Sequence, residues 1–292
     1  MPVFHVRWRK SKSFFVIDDG TSSVYQVQGE SGNREHPLER GKGAPKDIED
    51  HYRQTDESVQ IKRCELDVGQ HYLRIYRPPS RGRIQGFESE HGNSAQAVRT
   101  LLAALQDVLR VVEPSATNDA TYGHELRQLL ILGCNEVESS FRAVLKANGY
   151  SGPGRWSSND YVKLLPLMRL DEWAVRLPRY PDYPTIKPFA GWSQANPTQS
   201  LRWYDAYNGV KHDREQSFHR ATFGHALHAL AGAVVLVYAQ FGLFGLRGMT
   251  RELQEIDYAS EPTWNLSEYY VCPSTGMAGS DHWQPIKHPS LI

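Results

Sequence analysis

The groups best suited to chemistry are concentrated in one segment, Trp203-Tyr204-Asp205-Ala206-Tyr207-Asn208-Gly209-Val210-Lys211-His212-Asp213-Arg214. On a helix turning by about 100° per residue, Tyr204, Asn208, Lys211 and His212 share one face. Asn208 and His212 are spaced i and i+4, so the amide can orient the imidazole while Lys211 places positive charge beside it. An imidazole held in this way suits proton transfer next to a phosphate. The same stripe also suits an interhelical hydrogen-bond network, and the residues alone leave both roles open for His212.

Other chemistry-bearing groups are scattered. By the same helical count, Glu138 lies at the border of an earlier apolar face with Arg127 on its flank. One or both can reach the stripe, or Glu138 can pair with Lys211 and set helix register. His225 and His228, at i and i+3, and the nearby His219 have no Asp or Glu with them. His-x-x-His alone is too unspecific to argue for a metal, so no metal and no cofactor is expected. The chain lacks a phosphate-cradling glycine loop, a Gly-x-Ser-x-Gly elbow and a His-Glu-x-x-His pair, which argues against nucleotide hydrolysis and serine hydrolase chemistry.

The elements that must position these groups follow from hydropathy patterning. Residues 1–90 alternate apolar and polar at Phe4, Val6 and Trp8, at Phe15 and Ile17, and over 24–27. Asp18-Asp19-Gly20 marks a hairpin turn, which predicts a small antiparallel β domain. Residues 28–58 are polar and read as a long loop with one short helix. Residues 60–66 and 72–76 predict a second hairpin around Asp67-Val68-Gly69-Gln70.

From residue 91 to 247 the period becomes helical. Val98, Leu101, Leu102, Leu105, Val108, Leu109 and Val112 form one stripe, ended by Pro114. Leu126, Leu130, Cys134, Val137, Phe141, Val144 and Leu145 form a second over about 122–147, with Asn148-Gly149 as its exit. Ser158-Asn159-Asp160 suits an N-cap of a short third helix, which Pro166 kinks or ends. A proline- and aromatic-rich stretch, 175–198, reads either as a lid or as a strap anchored across the bundle. Helices over about 199–214 and 218–244 complete the set. The arm 248–292 has a candidate strand at Tyr269-Tyr270-Val271 for the N-terminal sheet. The fold class expected is α+β, mainly α.

With Lys+Arg 33 against Asp+Glu 33, the whole molecule has no electrostatic grip on nucleic acid, which leaves only a local basic patch for that role. Cys64, Cys134 and Cys272 are far apart and no secretory segment follows Met1, so reduced thiols in a cytoplasmic protein are expected. Residues 221–246 carry no Asp, Glu, Lys or Arg and are long enough to cross a bilayer. His225, His228, Gln240 and several glycines favour a buried core helix over a membrane span. Some of the aromatic side chains in 175–198 could stack on unpaired bases, though core and loop anchoring accounts for most of them.

The segment carrying Trp203, Tyr207, Asn208, Val210, Lys211, His212 and Arg214 resembles bacterial proteins of the HEPN superfamily. In these helical bundles a late helix bears Arg-Asn-x-x-x-His, or more loosely Arg, four to six residues, then His. Asn208 to His212 matches the Asn-x-x-x-His half, and Tyr207 stands where the arginine would be. Arg214 is a substitute, and Arg214 with His219 fits the looser spacing. Leu129 to Glu138 resembles the family's early helix with inward acidic residues, and the resemblance spans about 92–245. It implies a HEPN-like helical bundle, a homodimer, and metal-independent RNA cleavage in a bacterial defence or toxin setting. His212 would be the general base. Asn208, Lys211 and Arg214 would complete the catalytic set, and Tyr204, Tyr207, Glu138 and His219 would contact substrate. The alternative is a non-catalytic HEPN-like dimerisation or ligand-binding module in which Tyr207 marks lost chemistry.

Overall fold

Period-two patterning at the N-terminus produces strands. The computed structural model describes residues 3–8, 11–17, 24–27, 33–35, 45–67, 69–78, 87–152, 154–246, 254–271 and 286–287. β1 (Val3–Trp8), β2 (Ser11–Ile17), β3 (Val24–Val27), β4 (Asn33–Glu35) and β5 (Gln60–Arg63) form an antiparallel sheet in the order β4-β3-β2-β1-β5. Val6 and Phe15 are closed over by Ile48 of helix α1 (Pro45–Arg53) and by Val59, with Phe4, Tyr52 and Ile61 packed around them. Helix α1 falls in the polar stretch where one short helix is expected. Strand β4 carries no apolar alternation and pairs with β3 at the sheet edge, so the backbone ladder and not its side chains accounts for it. The Asp18-Asp19-Gly20 turn lies outside the described residues.

The second expected hairpin does not form. β5 pairs with β1, whereas β6 (Gln70–His71) pairs in parallel with a two-residue strand at Ile286–Lys287. Gly69, with φ 77°, donates its backbone N–H to Val271 O at 2.8 Å, so the turn serves the C-terminal segment and not β5. Tyr269-Tyr270-Val271 is not a strand, but Tyr270 N bonds to Pro78 O at 3.0 Å and Glu65 N to Ser267 O at 2.7 Å. The buried Arg77 guanidinium completes this attachment. It lies 5.3 Å from the Tyr72 and Trp264 rings and 5.8 Å from Tyr270, and Nη1 reaches Glu65 Oε2 at 3.2 Å.

Two compact units result. One comprises residues 1–73, 77–80 and 264–289, and the other 74–76, 81–263 and 290–292. The expected division at residue 90 and the single arm 248–292 are both redrawn. Residues up to 263 cluster with the helices, and residues from 264 to 289 cluster with the N-terminal sheet.

The helical unit contains α2 (Glu88–Leu109), α3 (His124–Ala147), the short α4 (Ser158–Tyr161) and α5 (Leu164–Met168), α6 (Arg202–His212), α7 (Arg214–Ser217) and α8 (Phe223–Phe241). Val98, Leu101, Leu102, Leu105 and Val108 of α2 are buried, as are Leu126, Leu130, Cys134, Val137, Phe141 and Leu145 of α3. Each such side chain contributes about 1.5–3 kcal/mol on burial. Helix α3 ends as its sequence suggests, with Asn148 Nδ2 bonded to Val144 O at 2.9 Å and Gly149 at φ 75°. The cap of α4 is Ser157, one residue earlier than expected, in a capping box closed by Asp160.

Helix α8 is shorter than 218–244 because Thr222 caps it and Gly242, at φ 74°, ends it. It is long and apolar enough to cross a bilayer, yet 83% of its apolar window is buried inside the fold. Its partner α3 approaches closely: a Cβ on Gly133 would lie 3.1 Å from Ala229 Cβ and 3.2 Å from the α8 backbone. The proline-rich stretch is a strap. Val175 and Ile186 exchange backbone hydrogen bonds at 2.9 and 2.8 Å, and β7 (Ala174–Arg176) pairs with β8 (Asp257–Ser260). Phe189 and Trp192 are buried against Phe141. Lacking free backbone donors at its prolines, this segment is held chiefly by aromatic anchors.

Candidate functional site at the seam of α3 and α6

Helix α6 is fixed from both sides. Trp203 is buried and its Nε1 donates to Pro188 O at 2.7 Å, tying the first turn to the strap. On another face Gly209 leaves room for the chain that returns after α7, since a Cβ there would lie 2.6 Å from Arg220 Nη1. Arg220 forms an ion pair with Asp205 across the same gap. Asp213 ends α6, and its carboxylate accepts from Gln216 N at 3.1 Å, starting α7.

The polar stripe divides in two. Tyr204, Tyr207 and Lys211, spaced i, i+3 and i+7, turn toward α3, whereas Asn208 is half-buried and His212 is exposed. Tyr204 donates from its hydroxyl to Glu138 Oε1 at 2.9 Å, and Arg142 holds the other carboxylate oxygen of Glu138. Arg142 Nε also donates to Tyr161 of α4 at 2.9 Å, and Tyr161 donates to Trp156 O at 3.3 Å. A second chain runs alongside: Lys211 Nζ donates to the Tyr207 hydroxyl at 2.9 Å, and Tyr207 donates to Asn135 Oδ1 at 3.0 Å.

These bonds settle the protons. Burial pushes the Tyr204 and Tyr207 hydroxyls up, so both stay neutral, and the nearby Glu138 charge adds to the effect. The Tyr207 hydroxyl holds the Lys211 ammonium above its ordinary range, with attraction from Glu138 acting in the same direction. Burial also raises the Cys134 thiol at the floor of the seam, so it is a packing group and not a nucleophile. The seam therefore offers a fixed surface cation above a carboxylate that is already engaged. That arrangement attracts anions.

Several residues singled out in the sequence are placed differently. Asn208 does not orient His212, because neither side chain has a hydrogen-bond partner among the described residues. Glu138 meets Tyr204 and Arg142; Lys211 and Arg127 form no ion pair with it. His219 is exposed on the 3-10 turn Phe218–Arg220, and the Arg214 side chain lies outside the described residues. His225 Nδ1 and His228 Nδ1 bond to the backbone carbonyls of Arg220 and Gly224 at 2.8 and 2.9 Å. No group of three His, Cys, Asp or Glu side chains is gathered among the described residues.

Asn135, Arg142 and Tyr161 were not singled out. Arg142 carries a readable signal, i+4 from Glu138, whereas Tyr161 has none because it arrives through tertiary packing. Comparison with protein-family models, with curated proteins and with solved structures found no match.

Proposed function

We propose that the helical unit is a HEPN-like module directed at RNA, working from the exposed C-terminal turn of α6. The observation that carries this reading is the pairing on that turn of an anchored cation with an exposed imidazole: Lys211, fixed by Tyr207 at 2.9 Å, and His212 beside it. In the reaction proposed, His212 removes the proton of a ribose 2′-hydroxyl and the 2′-oxygen attacks the adjacent phosphorus. The phosphorus–O5′ bond breaks and the leaving 5′-oxygen takes a proton from solvent, giving a 2′,3′-cyclic phosphate end and a 5′-hydroxyl end. Lys211 stabilises the charge that develops on the phosphoryl oxygens. A cytoplasmic homodimer acting in bacterial defence belongs to the same reading.

A second reading has its own support. Tyr207 is fully buried, with its hydroxyl bonded to Asn135 and Lys211 where the resembled pattern has an arginine, and His212 lacks an orienting partner among the described residues. On this reading the module binds a ligand or a second copy without cleavage.

Incubating the purified protein in EDTA with a pool of structured and unstructured RNA separates the two. Cyclic phosphate ends that disappear in a folded His212→Ala variant would establish the ribonuclease. RNA that is bound but remains intact would establish the binding module, and RNA neither bound nor cut would sink the RNA reading.

A further inference from the structure

Asp205, Asn208, Gly209 and His212 of α6 are spaced i, i+3, i+4 and i+7 and share one face, apart from the flank that turns Tyr204 and Tyr207 toward α3. A later segment of the chain lies against that face. The guanidinium of Arg220, at the end of the 3-10 turn Phe218–Arg220, pairs through Nη2 with Asp205, and its Nη1 lies 2.6 Å from where a Cβ on Gly209 would be. The missing side chain of glycine is what admits so close an approach. Helical side chains lean toward the N-terminus over the turn that precedes them. For His212, exposed in the last turn of α6, that lean runs back over Gly209 and toward the guanidinium seated there.

The turn that carries Arg220 is itself fixed. Its carbonyl is bonded to His225 Nδ1 at 2.8 Å, and the next residue, Ala221, is fully buried. The Phe218 ring centre lies 4.8 Å from that of His124 and 5.7 Å from that of Tyr122, and Tyr122 forms an antiparallel bridge with Thr222. Arg220 thus reaches α6 from a held base, and Asp205 holds its tip. A guanidinium has N–H donors on all three nitrogens, and among the described residues Asp205 engages Nη2 and no hydrogen bond engages Nε or Nη1. Donors already aimed cost no reorganisation when negative charge develops in front of them. By helical count His212 stands between this guanidinium, over Gly209, and Lys211 on the α3 flank.

We propose that Arg220 is a further catalytic residue of the reaction assigned to His212. As the 2′-oxygen attacks phosphorus, the donors of Arg220 that Asp205 leaves open bind a nonbridging phosphoryl oxygen from the side opposite Lys211 and stabilise the charge gathering on it. Asp205 is the positioning residue that aims the guanidinium, and Gly209 is the gap that admits it. This inference rests on the ribonuclease reading above.

The test is single-turnover cleavage of the RNA pool in EDTA by the full-length protein in excess, comparing wild type with Arg220→Gln, Arg220→Lys and Asp205→Asn, each checked for folding by circular dichroism. Arg220→Gln should cut about a hundredfold more slowly. Arg220→Lys keeps a cation able to pair with Asp205, yet it should lose nearly as much, because one ammonium held by that carboxylate presents no second nitrogen to the phosphate. Should Arg220→Gln fail to fold, Arg220→Lys decides alone. Asp205→Asn keeps the guanidinium and an acceptor for it, and should lose less than about tenfold. Arg220 variants that cut at the wild-type rate would overturn the assignment and leave the ribonuclease standing. An Asp205→Asn rate as low as that of Arg220→Gln would overturn it too, since the ion pair and not the open donors would then matter. A wild type that leaves the RNA intact would remove the reaction itself, and the role of Arg220 with it.

Discussion

Lys211 donates to the hydroxyl of Tyr207 at 2.9 Å, one turn earlier on α6, and Tyr207 passes the interaction to Asn135 of α3 at 3.0 Å. A buried ring thus holds an exposed cation in place, which places Tyr207 where it can aim Lys211 without itself being exposed. In Tyr207→Phe the ring is kept and both bonds are lost. Asn135 is exposed and can turn to water, so unfolding in urea should show a loss of only about 0.5–1.5 kcal/mol. The Lys211 pKa, read by NMR of the side-chain ammonium, should fall, because the bond that raises it is gone. An unmoved Lys211 titration would show that the hydroxyl does not hold the ammonium.

Tyr204 and Glu138 form the deeper link between the two helices. A hydrogen bond to a charged group contributes about 1.5–3 kcal/mol, so Tyr204→Phe should destabilise by about that amount. Tyr204→Phe combined with Glu138→Gln should cost less than the sum of the single changes, since each removes the same bond. Additive losses in such a cycle would mean that the two side chains are not coupled.

Two glycines of the helical unit should respond in opposite ways to alanine. At Gly133 the new methyl would meet Ala229 and the α8 backbone at 3.1–3.2 Å, where neither helix can yield easily. Gly133→Ala should therefore lose about 1–3 kcal/mol in spite of better helix propensity. At Gly209 the closest atoms are the ends of the Arg220 and Ser217 side chains, which can move. There the gain in helix propensity, about 1 kcal/mol, offsets the displacement and Gly209→Ala should be near neutral. Thermal denaturation of the two variants decides between this account and one in which both glycines are spacers of equal weight.

His228 makes the stability depend on pH. Burial lowers its pKa in the folded chain below the ordinary 6.5, and the neighbouring His225 adds to the shift. Near and below that value the unfolded chain binds a proton that the folded chain refuses, so this contribution is lost as pH falls through the unfolded value toward the lower folded one. The melting temperature should drop between pH 7.5 and 5.5, and His228→Gln should drop less over the same interval. Equal slopes for the two proteins would remove His228 as the source.

The long helices and the presence of an N-terminal sheet are legible in the residues themselves. The apolar positions of α2 and α3 recur at helical spacing, and those of β1 and β2 alternate, so burial of one face selects the local structure. Asn148-Gly149 acts through its own backbone preferences and needed no tertiary context. Strand pairing was less legible. Residues 60–66 and 72–76 look like a hairpin locally, but β5 found β1 and β6 found Ile286–Lys287, because a ladder can be completed by any strand that reaches the edge.

The segment 203–214 shows where sequence stops deciding. Its residue types determined that a helix there would be amphipathic and would carry Lys211 and His212 near its end, since angular position along a helix depends only on spacing. Which part of the polar stripe turns inward was decided by packing. Trp203 is locked against Pro188 and Gly209 lies beside Arg220, and this rotation sends Tyr204 and Tyr207 to α3 and leaves His212 outside. Partners that arrive from distant positions, such as Tyr161 at Arg142 and Asn135 at Tyr207, have no spacing that could announce them. Only the folded chain brings them together, because their proximity is set by the burial of other residues and not by any preference of their own.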